Sequence, residues 1–118
     1  MAHPCKYLGP SVEVFVRDGD RCWFVEVSHL RLLESEGNYT RIVFENERPL
    51  LLRSLNTFEA RLDPKVFFRA NRGQIINLKW IDKIEPWFSG SLRVTLKGGE
   101  HVDLSRRKAK LFKDTMSL

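Results

Sequence analysis

Arg69-Ala70-Asn71-Arg72-Gly73-Gln74 is the stretch best equipped for chemistry, and that chemistry is recognition, not bond breaking. Guanidinium and carboxamide groups are planar forks that match phosphate oxygens and the edges of guanine and adenine. Phe67-Phe68 anchors one end and Ile75-Ile76 the other. A fold that buries both flanks must present the polar centre on a short, well-held connection, and Gly73 permits unusual backbone angles there. Asn77 and Lys79 continue the stretch, and residues 67–79 contain no acid.

A second candidate is Ser105-Arg106-Arg107-Lys108. Ser105 is a helix N-cap, which places three cations in a first turn. That turn is the positive end of the helix dipole, where each cation is disfavoured by ~0.3–1 kcal/mol. Cations tolerated there usually have an anion to meet them, and the free N–H groups of the turn add donors for phosphate. A third candidate is Gly37-Asn38-Tyr39-Thr40-Arg41, where a turn glycine precedes an amide, a phenol, a hydroxyl and a guanidinium. The competing readings are a solvated basic helix face for the second and ordinary hairpin chemistry for the third.

Charge distribution favours an anionic partner. The 118 residues carry 20 Lys and Arg against 15 Asp and Glu, a net +5. Residues 67–79 and 105–113 together hold eight positive charges and no acid, which leaves −3 on the rest of the chain. A polyanion-binding face requires such segregation; solubility does not.

Catalysis finds little support. GxSxG, GxGxxG, Walker and HExxH patterns are absent, and His3, His29 and His101 are scattered. Cys5 and Cys22 have no metal-ligand spacing, so neither a metal nor another cofactor is expected. Glu34 and Glu36 read better as a strand end beside arginines than as a catalytic dyad. No apolar run approaches the ~18 residues of a membrane helix, and a cytoplasmic location is the default.

The elements that must position these groups are mostly strands. With 42% hydrophobic and 30% charged residues, the chain has the composition of one globular domain. Residues 1–10 read as a linker or remnant and residues 11–118 as the domain. Val12 to Arg17 and Arg21 to Val27 flank an Asp18-Gly19 turn. Leu30 to Glu36 is ambiguous between strand and helix, whereas Tyr39 to Glu45 is a strand. Ser54 caps a helix predicted over 55–62, stopped by Asp63-Pro64. Residues 80–87, 92–97 and 101–104 alternate as strands around Ser89-Gly90 and Gly98-Gly99. A last helix from Ser105 presents Ala109, Phe112 and Met116 on one face. The fold class is mainly β: an elongated antiparallel domain of about ten short strands, one short internal helix and a C-terminal helix.

Taken together these motifs resemble the LytTR domain, the DNA-binding output module of many bacterial response regulators. The carrying residues are Leu33 to Thr40, Ser54-Leu55 with Leu62, Phe68 to Asn77, Ile81 to Ile84, Gly98-Gly99 and Leu104-Ser105-Arg106-Arg107. The resemblance implies loops that enter successive major grooves of double-stranded DNA, with two copies pairing on promoter direct repeats. By position, Thr40, Arg72 and Arg107 look like base readers. Asn38, Tyr39, Arg41, Asn71, Gly73, Gln74, Asn77, Lys79, Ser105, Arg106 and Lys108 look like backbone-contacting or loop-holding residues. The family often has His-Arg-Ser where this chain has Asn71-Arg72-Gly73, which removes a hydroxyl. A receiver or sensor domain, which needs roughly a hundred residues of its own, is absent from this pattern and is expected on a separate segment or replaced by another regulator. The alternatives are a single-stranded DNA or RNA module stacking bases on Tyr39, Phe68, Trp80 or Trp87, and a basic protein-interaction module.

Overall fold

The computed structural model describes residues 7–117. Ten strands run in chain order: β1 Glu13–Asp18, β2 Arg21–Glu26, β3 Leu32–Glu36, β4 Tyr39–Val43, β5 Leu50–Leu51, β6 Phe67–Asn71, β7 Gln74–Asn77, β8 Ile81–Pro86, β9 Leu92–Leu96 and β10 His101–Leu104. Two helices join them, α1 Leu55–Glu59 and α2 Arg106–Met116. The strands form a β1-β2 ribbon, a five-stranded sheet ordered β5-β4-β3-β7-β6, and a three-stranded sheet ordered β10-β9-β8, all antiparallel.

The central sheet is buried on both faces, and this resolves the ambiguous Leu30-to-Glu36 stretch. Side chains alternate across a strand, so a one-sided strand shows alternation, whereas a strand covered on both sides shows consecutive apolar residues. Leu33, Ile42 and Ile75 face a core closed by the β1-β2 ribbon and α1, together with Val16, Val25, Leu55 and Phe67. Their neighbours Leu32, Val43 and Ile76 face a second core closed by the three-stranded sheet and α2, with Val94, Leu104, Ala109 and Phe112. The result is a broad, thin body of 43 × 40 × 24 Å in three layers.

Local signals terminate the elements as their chemistry requires. Ser54 Oγ accepts from Thr57 N at 3.3 Å and starts α1. That helix ends at Glu59, shorter than the expected 55–62, because Ala60 and Arg61 continue as a turn that delivers Leu62 to the first core. Ser105 caps α2 through Lys108 N at 3.3 Å. Ala109 and Phe112 of α2 are buried, but Met116 at its last residue is half exposed and joins neither core. Of the stretch read as a linker, residues 1–6 lie outside the described residues; Leu8 N donates to Arg61 O at 2.8 Å, and Leu8 bridges to Leu62.

Candidate nucleic-acid interface

Strand register brings two of the three polar stretches to one end of the central sheet. Glu34 of β3 lies opposite Gln74 at the start of β7, and Glu36 lies opposite Tyr39. The turn at Gly37-Asn38 and the turn at Arg72-Gly73 are therefore side by side, and Ser35 N donates to Gly73 O at 2.8 Å. Asn71 then ties this end to the remaining stretch, Ser105 to Lys108. Its Nδ2 donates to Gln74 Oε1 at 2.8 Å and to Asp103 O at 3.1 Å, and its Oδ1 accepts from Gly73 N at 2.9 Å. Asp103 is one residue from the end of β10, so α2 starts beside the Arg72 turn. An open groove of about 730 Å³ runs between them, lined by Asn71, Arg72, Ser105, Arg107, Lys108 and Leu111.

The Arg72 turn is braced by Arg69, which belongs to the same stretch but is not among the expected contact residues. Its Nε donates to Asn71 O at 2.9 Å and its Nη2 to Arg72 O. Its Nη1 reaches Asn56 Oδ1 at 2.9 Å and Glu59 Oε1 at 2.8 Å on α1. The guanidinium thus fixes two turn carbonyls against a helix, and only the side chain of Arg72 projects from the turn. Gly73 adopts no left-handed φ, and a Cβ on it would meet only Asn71 Oδ1, at 3.8 Å. The glycine is therefore not demanded by the backbone, and a serine fits.

Electrostatics at this end are asymmetric. Three of its acids are matched by arginines, Glu36 by Arg41, Glu59 by Arg69 and Asp103 by Arg93 at 2.9 Å, while Glu34 accepts from Gln74 Nε2. The Arg41 and Arg93 hydrogen bonds hold Glu36 and Asp103 below the usual carboxylate range. Arg72, Arg106 and Arg107 are exposed, and no carboxylate partners them among the described residues. Lys108 lies half-buried, its Nζ 5.9 Å from the centre of the Phe68 ring. The first N–H groups of α2 have no partner within the helix, and no acid occupies its first turn.

Five expected site residues are buried, placed elsewhere or held by other groups of the chain. Thr40 is fully buried and its Oγ1 donates to Arg53 O at 2.8 Å, so it cannot reach a base edge in this fold. Asn77 is also fully buried; its Nδ2 donates to Leu30 O at 2.9 Å, and its Oδ1 accepts from Lys79 N. Lys79 is exposed but sits in the 3-10 turn Leu78–Trp80, beyond the end of β7 remote from Arg72. Arg41 is held by Glu36 and Arg48 O, and Gln74 Nε2 by Glu34 at 3.2 Å, so both hold loops. Asn38 and Tyr39 remain exposed at their turn. Thr40→Val should lower stability by roughly 0.5–1.5 kcal/mol, because it removes the part-buried hydrogen bond to the Arg53 carbonyl. Thermal melting of the variant beside the unaltered chain checks this.

Comparison with known proteins agrees with this geometry. The LytTr DNA-binding domain family model matches residues 20–117. The sensory transduction protein LytT of Enterococcus faecalis is 31% identical over 111 residues, covering 93% of this chain and 46% of that protein. The transcriptional regulatory protein YpdB of Escherichia coli is 29% identical over 84% of this chain and 41% of its own length. The chain thus spans less than half the length of these curated relatives. A solved LytTr DNA-binding domain from Bacillus cereus superposes with a TM-score of 0.81 at 25% identity, over 91% of this chain and 98% of that one. With its ten-stranded fold and the family model matched over residues 20–117, the chain belongs to the LytTR family of DNA-binding domains.

Proposed function

We propose that the domain binds double-stranded DNA sequence-specifically, with Arg72 and Arg107 reading base edges in the major groove. The observation that carries this reading is the convergence on one groove of these two exposed arginines, which no carboxylate partners among the described residues, from a strand turn and a helix start far apart in sequence. An arginine fork bonded to guanine O6 and N7 is the commonest specific contact. Arg106, Lys108 and the first N–H groups of α2 supply the phosphate contacts that orient the domain. By likeness to the regulators it matches, the domain acts as the cytoplasmic output module of a two-component response regulator. Its regulator is then an upstream receiver or sensor domain, and two copies pair on promoter direct repeats.

The single-stranded reading has weaker support. Phe68 packs edge-on against Phe112 at 5.5 Å, and the Arg31 guanidinium lies over the Trp80 ring at 6.0 Å, so both rings are half-buried and already in contact with other side chains. Selection from a random duplex library, followed by salt-dependent anisotropy on the selected sequence, tests the proposal. Recovery of direct repeats that bind far more tightly than scrambled duplex supports it. Equal affinity for every duplex, lost by ~0.2 M salt, would leave only an electrostatic polyanion binder.

A further inference from the structure

We propose that residues 87–91 form a further DNA-contacting element, with Phe88 making an apolar contact to the duplex beyond Arg106. This rests on the DNA-binding reading above and extends it to a loop made of neutral residues.

Three observations carry it. Pro86 lies opposite Leu92, and Leu92 opposite Leu104, so the β8–β9 connection emerges at the same end of its sheet as the start of α2. The connection touches that start directly: a Cβ on Gly90 would come within 3.1 Å of Arg106 Cγ and Cδ. Arg106 therefore flanks this loop, while Arg107 lines the groove shared with Arg72.

The loop is held in shape. Trp87 N donates to Ser91 O at 2.9 Å, and Ser91 N and Oγ both donate to Phe88 O, at 3.0 and 2.6 Å. Ser89 sits at φ 53° and Gly90 at φ 82°. A left-handed serine costs energy and persists only where its surroundings over-determine it, commonly at ligand contacts. Arg93 stacks on Trp87 at 4.1 Å and bonds the Asp103 carboxylate, and the Asp103 carbonyl accepts from Asn71. One chain of contacts therefore links this loop to the Arg72 turn.

Phe88 is the conspicuous product of that arrangement. The residue is 76% exposed, and beyond an edge contact with Trp87 at 5.4 Å its ring adds nothing to either core. An apolar protein partner fits poorly beside unpaired cations. A duplex suits both, with phosphate for Arg106 and a thymine methyl or deoxyribose face for the ring.

The test uses the full chain and the selected duplex. Phe88→Ala, with a melting temperature matching the unaltered chain, should weaken binding by roughly five- to twentyfold at one salt concentration. The dependence of affinity on salt should not change, because an apolar contact releases no counterion. The hydroxyl-radical footprint should shorten at one end only, and Phe88→Leu should recover most of the affinity. Unchanged affinity of Phe88→Ala while Arg107→Ala is impaired would overturn this inference and leave the proposed function standing. Weaker binding with an unaltered footprint would also overturn it, since the ring would then act through Arg106. Failure of the unaltered chain to prefer any duplex would instead defeat the DNA reading itself.

Discussion

Arg72→Ala should cost ~1–3 kcal/mol of binding free energy and relax the preference at one base position, leaving the other positions unchanged. Arg107→Ala should do the same at a different position. The size follows from the geometry. Arg69 and Asn71 fix the turn backbone, so the Arg72 guanidinium is presented from a rigid base and little ordering is lost on binding. Arg72→Lys should not restore specificity, because a point ammonium cannot reproduce the two parallel bonds of a fork. If the two side chains read separate bases, their losses add in the double variant to within about 0.5 kcal/mol. Selection with each variant is the measurement, and an unaltered base preference for Arg72→Ala would remove it from the base-reading role.

The second large effect concerns stability. Glu100→Ala should destabilise the domain by about 3 kcal/mol, lowering its melting temperature by roughly 10 °C. Arg31 and Glu100 are almost buried, with side chains 8% and 9% exposed, and meet at 2.7 Å. Arg31 Nη1 also donates to Glu45 O at 2.8 Å. This pair clamps the β9–β10 turn of the outer sheet to the segment leading into β3 of the central one. Removing the carboxylate leaves a buried guanidinium without a counter-charge, which is the costly way to break such a pair.

The same pair sets a pH dependence. Arg31 holds the Glu100 carboxyl below its usual value, against a smaller opposing effect of burial. A group whose pKa is lower folded than unfolded contributes fully above the unfolded value, and that contribution is lost as pH falls through the folded one. The stability gap between the unaltered chain and Glu100→Ala should be full at neutral pH. It should narrow as pH drops below the ordinary glutamate value of 4.5. Denaturant melts at a series of pH values measure it, and a gap independent of pH would exclude this role for Glu100.

Gly98 and Gly99 illustrate how differently one dipeptide can be constrained. Gly99 lies at φ 95°, a turn requirement that the sequence signals by itself. Gly98 has an ordinary φ, but a Cβ there would sit 2.3 Å from Arg31 Nε. Arg31 lies far away in sequence, so no local pattern reveals that second demand.

What the sequence by itself determined was the local grammar: the turns, the Ser54 and Ser105 caps, the alternating outer strands, and the two basic stretches without acids. These rest on neighbours a few residues apart, and the resemblance to the LytTR family adds their order along the chain. Only the tertiary structure decided which polar groups share a surface. Pairing of β3 with β7 joins the Gly37 and Arg72 turns, and the same register carries Asn77 and Lys79 to the far end. Thr40 faces inward because the end of β5 and Arg53 cover it, a contact no spacing rule anticipates. Strand pairing over long separations depends on which faces can be buried together. That is a property of the assembled layers and is not written in any single segment.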